Sequence, residues 1–259
     1  MLNKLISAAV GLAVIGLAAT DASAGMKVRM GTEGAYPPFN YTDKDGKLQG
    51  FDVEIGKAIC AAAKFECTWV VQDWDGIIPG LLAKKFDTII ASMSITAERK
   101  EKVNFSDKYY STPAKFFAKK DAGIMVTKEG LKGKTVGVQS ATIHENFLRD
   151  NYSDVVTIKA YKTQDEAYLD LASGRIDLGI ADSVAVTDGF LNTDNGKGFE
   201  LIGPNFTDPK WFGDGAGIAV RKGEDDLLKA INKALAQIIA DGTYKKINDK
   251  YFNFNVYGD

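Results

Sequence analysis

The chain has 259 residues, 45% of them apolar, and its 32 Lys and Arg stand against 34 Asp and Glu for a net charge of −2. That balance leaves no basic excess to attract nucleic acid and no charge-rich tail. The length supports one large domain or two small ones, each with a real core.

The elements begin with an export signal. Lys4 supplies its positive start, Leu5 to Ala19 an apolar stretch, and Ala22-Ser23-Ala24 a small-residue cleavage site. Cleavage after Ala24 starts the mature chain at Gly25 or Met26. The apolar stretch is short for a membrane span, and no later segment runs to 18 apolar residues. Neither Cys60 nor Cys67 lies near the cleavage site, so no lipid anchor is expected there. The expectation is a soluble, exported, periplasmic protein with no direct membrane insertion.

After the signal, Lys27–Thr32, Cys67–Val71 and Phe86–Ala91 read as strands, with helices over Phe51–Lys64 and Trp74–Lys85 between them. Cys60 and Cys67 span the end of the first helix and the start of the second strand. In an exported protein they favour a disulfide, the alternative being two free buried thiols. The run Asp87-Thr-Ile-Ile-Ala-Ser92-Met-Ser94-Ile-Thr96-Ala-Glu-Arg99 passes from a buried strand through hydroxyl residues to Thr96. Thr96 is placed to cap a short helix with Arg99 in its first turn. Free N–H groups, hydroxyls and a guanidinium together suit a small carboxylate, although a surface arginine after a turn has the same pattern.

A second series follows: strands over Lys115–Ala118, Lys134–Gln139, Val155–Tyr161 and Ile176–Ala181, with helices starting near Thr142, at Thr163 and near Ser183. Thr163-Gln-Asp-Glu166 is a capping box. Gly217–Arg221 is a further strand, Glu224–Ala240 a long helix stopped by Asp241-Gly242, and Tyr244–Tyr251 a last helix. Strand–helix alternation predicts α/β structure with mostly parallel sheets covered by helices, and the two series predict two lobes. Ala91–Ser94, Gln139–Thr142 and Ala181–Asp182 all fall at strand carboxyl ends, where open α/β sheets bind ligands.

Other chemistry fails on spacing. Gly133-Lys134-Thr135 has Lys128 where a phosphate loop needs its leading glycine, and Gly213-Asp-Gly215-Ala-Gly217 has Ile218 in place of the third dinucleotide glycine. One histidine, His144, and two cysteines make no zinc site, and no nucleophile stands at a recognisable spacing from His144. No cofactor, metal or catalytic residue is expected.

Several motifs occur in order: Thr32-Glu-Gly-Ala-Tyr-Pro-Pro-Phe39, Gly50-Phe-Asp52, Trp74-Asp-Gly-Ile-Ile-Pro79, Ser92-Met-Ser-Ile-Thr96 with Arg99, Leu131-Lys-Gly-Lys-Thr-Val-Gly-Val138, Gly174-Arg-Ile-Asp177, Ala181-Asp182 and Asp241-Gly-Thr-Tyr244. Together they resemble the periplasmic solute-binding proteins of ABC importers for polar amino acids, within them the branch serving arginine, lysine, ornithine and histidine. The resemblance covers essentially the whole mature chain. It implies the type II periplasmic binding fold, in which two α/β lobes are joined by two crossing strands, expected here near Ser111–Lys115 and Asn205–Lys210. Lobe 1 is then discontinuous, 25–112 with 209–259, and lobe 2 spans 113–208. The family's disulfide matches Cys60–Cys67.

The resemblance also implies roles. Arg99 takes the ligand α-carboxylate, helped by N–H groups of Ser94 and of Thr142 or Ile143. Asp182, with the Ser92 carbonyl and the Ser94 hydroxyl, accepts from the α-ammonium. Tyr36 and Trp74 sandwich the side chain, Glu33 meets a distal positive charge, and Gln139 hydrogen-bonds a guanidinium or lies on the rim. Buried against a neutral side chain, Glu33 would be an unpaired charge, so a cationic ligand is implied. Relatives that take histidine or lysine often have serine where Ala91 stands and a shorter acid where Glu33 stands. Arginine is therefore expected first, then ornithine and lysine, then histidine. Opines such as octopine or nopaline remain an alternative, because the same helix start carries His144-Glu145. A monomer delivering its ligand to an inner-membrane permease is expected; a dehydratase on this fold and a sensory domain are the rivals.

Overall fold

The computed structural model describes residues 25–258; the expected export signal over 1–24 and its cleavage site lie outside the described residues. The chain opens with β1 (Lys27–Thr32), then a small antiparallel sheet of β2 (Ala35–Tyr36), β3 (Asn40–Thr42) and β4 (Leu48–Gln49). Next come α1 (Phe51–Ala63), β5 (Glu66–Val71), a 3-10 turn at Trp74–Gly76, α2 (Ile77–Leu82), β6 (Thr88–Ile89), α3 (Ala97–Lys102) and β7 (Val103–Tyr110). The second unit holds β8 (Ala114–Lys119), α4 (Lys128–Leu131), β9 (Thr135–Gln139), α5 (Ile143–Tyr152), β10 (Thr157–Tyr161), α6 (Gln164–Ala172) and β11 (Leu178–Asp182). It continues through α7 (Ser183–Val186), a π-helical turn at Thr187–Leu191, β12 (Phe199–Phe206) and α8 (Pro209–Phe212). The chain then returns to the first unit as β13 (Ala216–Arg221), α9 (Asp225–Ala240) and α10 (Thr243–Tyr251).

Two five-stranded sheets result, ordered β5-β1-β6-β13-β7 and β10-β9-β11-β8-β12. In each, four of the five strands run the same way, as expected for a mostly parallel sheet, and one runs against them. In the first, β1 runs parallel to β5 and β6, while β13 runs antiparallel to β6 and β7. In the second, β9 runs parallel to β10 and β11, while β8 runs antiparallel to β11 and β12. The antiparallel pairs belong to the strands that carry the chain across. One leaves a lobe as the other re-enters it, with no helical crossover to set them parallel. Neither β7 nor β12 is legible in the sequence: β7 lacks regular alternation, and β12 contains Gly203-Pro204, where its pairing with β8 shifts register.

The expected helix over Trp74–Lys85 is two pieces. Gly76 separates the 3-10 turn from α2, Pro79 fits only the first turn of α2, and Lys84 ends the segment at φ 60°. Helix α1 starts at Gly50, whose φ is 120° and whose added Cβ would sit 2.2 Å from the Phe39 carbonyl oxygen, so glycine alone fits there. The helix buries Phe51, Ile55 and Ile59 in one core with Phe39, Ile218, Val220, Ile231, Leu235 and Ile238. A second core gathers Phe116, Val136, Val138, Phe147, Leu148, Leu178 and Ile180. Phe212 packs into it, 5.0 Å from Phe147 between ring centroids. No helix among the described residues is long and apolar enough to cross a membrane.

Cys60 and Cys67 are joined, with Cα atoms 6.2 Å apart, tying the end of α1 to β5. Closing so short a loop restricts the unfolded chain by about 2–3 kcal/mol. A Cys60→Ser/Cys67→Ser double variant is expected to lose that amount in urea unfolding with the fold retained; unchanged stability would show that the bridge contributes nothing.

Candidate ligand-binding cleft

A cavity of about 760 Å³, counting its open mouth, lies between the two sheets, and all ten residues singled out from the sequence line it. The first lobe contributes Glu33 and Tyr36 beyond β1, Trp74 from the 3-10 turn, Ser92 and Ser94 after β6, and Arg99 in α3. From the second come Gln139 at the end of β9, Thr142 and Ile143 at the start of α5, and Asp182 at the end of β11.

Thr96 caps α3 by accepting from the Arg99 backbone N–H at 3.3 Å. That cap turns the Arg99 side chain inward, where it is 9% exposed. Its Nη1 donates to the Ser94 carbonyl at 3.0 Å, and its guanidinium carbon sits 5.2 Å from the Trp74 ring centroid. Burial pulls the guanidinium down to about 10, with the Glu98 charge opposing. Across the cleft, the Thr142 hydroxyl accepts from Glu145 N–H at 3.2 Å and donates to the Gln139 carbonyl at 2.7 Å. This opens α5 with free first-turn N–H groups beside the guanidinium.

Glu33 is 6% exposed and accepts from Gln139 Nε2 at 2.5 Å, a bond between lobes. Burial lifts its carboxyl to about 7; the Gln139 bond opposes this, and the charges of Asp165, Asp73 and Asp75 add to it. Among the described residues neither Glu33 nor Arg99 belongs to an ion pair. One cavity thus holds two desolvated charges of opposite sign that do not neutralise each other.

Asp182 caps α7, accepting from Val184 and Ala185 N–H at 2.8 and 3.2 Å. Its other oxygen accepts from the Thr112 hydroxyl. Burial lifts this carboxyl to about 6 against the pull of those bonds. Ser92, held at φ 53°, donates its hydroxyl to buried Asp52 at 3.0 Å. Asp52 also accepts from Asn40 at 2.9 Å and from the Tyr109 hydroxyl at 2.8 Å. Asn40 in turn accepts from Gly34 N–H at 2.8 Å, so one network fixes the turns bearing Glu33 and Ser92.

Trp74 lines the cavity and donates through Nε1 to the Ala141 carbonyl at 3.0 Å. His144 lines it too, beside Phe212. Burial and then the Arg99 charge hold the imidazole down at about 3, so it is neutral and no general acid near pH 7. Sequence reasoning missed Thr112, Asn40, Tyr109 and Phe212. No local pattern marks them, since each acts through a partner distant in the chain.

The model of the bacterial extracellular solute-binding proteins, family 3, matches residues 28–254. The chain belongs to this family. It is 48% identical over 232 residues to the L-arginine-binding protein of Pseudomonas aeruginosa, covering 89% of this chain and 90% of that one. It is 44% identical over 233 residues to the lysine/arginine/ornithine-binding periplasmic protein of Escherichia coli, covering 90% of each. Among solved structures, an ancestral arginine-binding protein bound to arginine matches with a TM-score of 0.82 and 38% identity, covering 89% of this chain and 100% of that one.

The Glu33 environment in this solute-binding protein has a consequence for stability. With its carboxyl lifted from 4.5 to about 7, its contribution is fully present below about pH 4.5 and lost as pH rises through about 7. Glu33→Gln, which does not titrate, is expected to make the ligand-free protein more stable than wild type above pH 7, by up to about 3 kcal/mol, with the gap closing toward pH 4.5. Melting curves across pH 4–8 check this; parallel curves for the two proteins would refute it.

Proposed function

We propose that this solute-binding protein captures a cationic L-amino acid in the periplasm, arginine first, and delivers it to an inner-membrane ABC importer. The observation that carries the reading is the pair of buried, mutually unpaired charges, Arg99 and Glu33, in one cavity. A zwitterion with a second cation satisfies both. Its α-carboxylate meets Arg99 and the α5 N–H groups, its α-ammonium meets Asp182, and its distal cation meets Glu33 between the faces of Tyr36 and Trp74. A guanidinium presents five donors in a plane, which suits the Glu33 carboxylate with the Gln139 amide better than an ammonium does. That orders arginine ahead of ornithine and lysine, with histidine after them.

An opine fits less well. Among the described residues lining the cavity Arg99 is the one cation, so a second carboxylate would go unpaired. Glu145, at the helix start that suggested opines, is occupied with Ala141 N–H at 2.7 Å and Arg149 at 2.9 Å. The protonated fraction of Glu33 is the one feature a dehydratase would use. Arginine recovered chemically unchanged after prolonged incubation is the outcome for a binding protein.

The deciding experiment is a thermal-shift panel on protein unfolded and refolded to remove carried ligand. It tests arginine, ornithine, lysine, histidine, glutamine, glutamate and octopine. Native-state ligands raise the melting temperature with concentration. Shifts with the cationic amino acids, largest for arginine, are expected; a shift confined to glutamine or glutamate would overturn the specificity. Export with cleavage after Ala24 predicts Gly25 as the first residue of protein recovered from the periplasm by N-terminal sequencing, and an uncleaved Met1 start would refute it.

A further inference from the structure

We propose that Thr112, a residue of the first crossing segment, is a positioning residue: it sets the Asp182 carboxylate for the ligand α-ammonium and ties that contact to the hinge. The inference rests on the assignment of Asp182 to the ammonium. Its ground is the bonding of the crossing strand on either side of a single residue. Up to Ser111 the strand is fastened to the first lobe. The Tyr109 hydroxyl donates to Asp52 at 2.8 Å, the Tyr109 carbonyl accepts from the Tyr244 hydroxyl at 2.6 Å, and Ser111 N–H donates to the Val256 carbonyl at 2.9 Å. From Thr112 onward it is fastened to the second lobe. The Thr112 hydroxyl donates to Asp182 Oδ2, Ser183 N–H donates to the Pro113 carbonyl at 2.9 Å, and Asp182 pairs with Ala114 across β11 and β8.

A carboxylate has about four lone-pair sites. Val184 and Ala185 N–H take two on Oδ1, and the Thr112 hydroxyl takes one on Oδ2. The site left belongs to the oxygen that Thr112 holds, and both residues line the cavity. A cation docking there meets an oxygen whose place is set by the crossing strand, so motion of the hinge and the quality of the ammonium contact change together. The titratable groups that the Asp182 charge reaches are the phenols of Tyr36 on β2, Tyr110 on β7 and Tyr168 on α6, all kept protonated by burial.

The test measures binding by calorimetry for wild type, Thr112→Val, Thr112→Ser and Asp182→Ala, between pH 5 and 8. Two ligands are used: L-arginine, and 5-guanidinopentanoate, which keeps the carboxylate and guanidinium but lacks the α-amino group. Thr112→Val is expected to weaken arginine roughly tenfold or more, the scale of one hydrogen bond to a charged group. It should leave the desamino ligand unchanged within about twofold, since that ligand makes no ammonium contact for the bond to strengthen. Removing a donor to the carboxylate also moves the acidic loss of arginine affinity to higher pH. The desamino ligand, which reports Glu33 but not Asp182, shows no such move. Thr112→Ser should restore both affinity and pH profile, and Thr112→Ala replaces the valine variant if that fails to fold. Equal weakening of both ligands, no weakening of either, or failure of serine to rescue would each overturn the proposal. Arginine affinity unchanged in Asp182→Ala would instead overturn the ammonium assignment beneath it.

Discussion

Desolvating a charge without a counter-charge is among the more expensive things a fold can do, and this cleft does it twice. Glu33 and Arg99 are both nearly inaccessible, yet the first is met by a neutral amide and the second by a backbone carbonyl. The rest of the molecule holds that arrangement in place. Two sheets meet at one cleft, the capped helix α3 holds Arg99 inward, and the buried Asp52 network fixes the turns on which Glu33 and Ser92 stand. Stability is surrendered at the site and recovered in the two cores, a common arrangement for a surface built to receive a charged ligand.

The bonds that run directly from lobe to lobe are few and of unequal weight. Lys162 and Asp73 form an ion pair at 2.7 Å, but both are more than half exposed, a setting in which such pairs contribute about 0–1 kcal/mol. Asn146 reaches Glu98 at 3.3 Å in a similarly open position. The better-shielded contacts, Trp74 to the Ala141 carbonyl and Gln139 to Glu33, involve Trp74, Gln139 and Glu33, which also line the cavity. On the proposed function, closure and ligand recognition draw on the same side chains. A ligand shifts the hinge equilibrium only by the difference between its contacts in the two states. Groups from both lobes around one cavity are the condition for that difference to be large.

The buried carboxylates divide the labour. Asp182 and Glu33 line the cavity with raised carboxyls. Asp52 also has its carboxyl raised by burial, to about 6, but it meets only protein donors, Asn40, Ser92 and Tyr109. Its position in the first turn of α1 favours negative charge through the helix dipole, and its partners lie on β3, on β7 and in the turn after β6. It ties the start of α1 to those three places, while Asp182 does the corresponding work at the end of β11.

Local order alone determined a good part of this. The roles of the ten cleft residues came from the resemblance to a known family, whereas hydrophobic periodicity itself gave α1, α9 and the strand at β9, and the side-chain caps at Thr96 and Thr163 were readable from residue type and spacing. These features depend on neighbours within a few positions, where sequence carries the physics directly. Tertiary structure decided what depends on distant partners. The antiparallel pairing of β7 with β13 and of β8 with β12 arises from the path of the chain between lobes, which no window of sequence contains. The commitment of the Ser92 hydroxyl to Asp52, 40 residues away, and the Thr112 bond to Asp182, 70 residues away, set the acceptors of the site. Hydrogen bonding across such separations is fixed by the packing of whole elements, and only the folded chain brings those atoms within reach of one another.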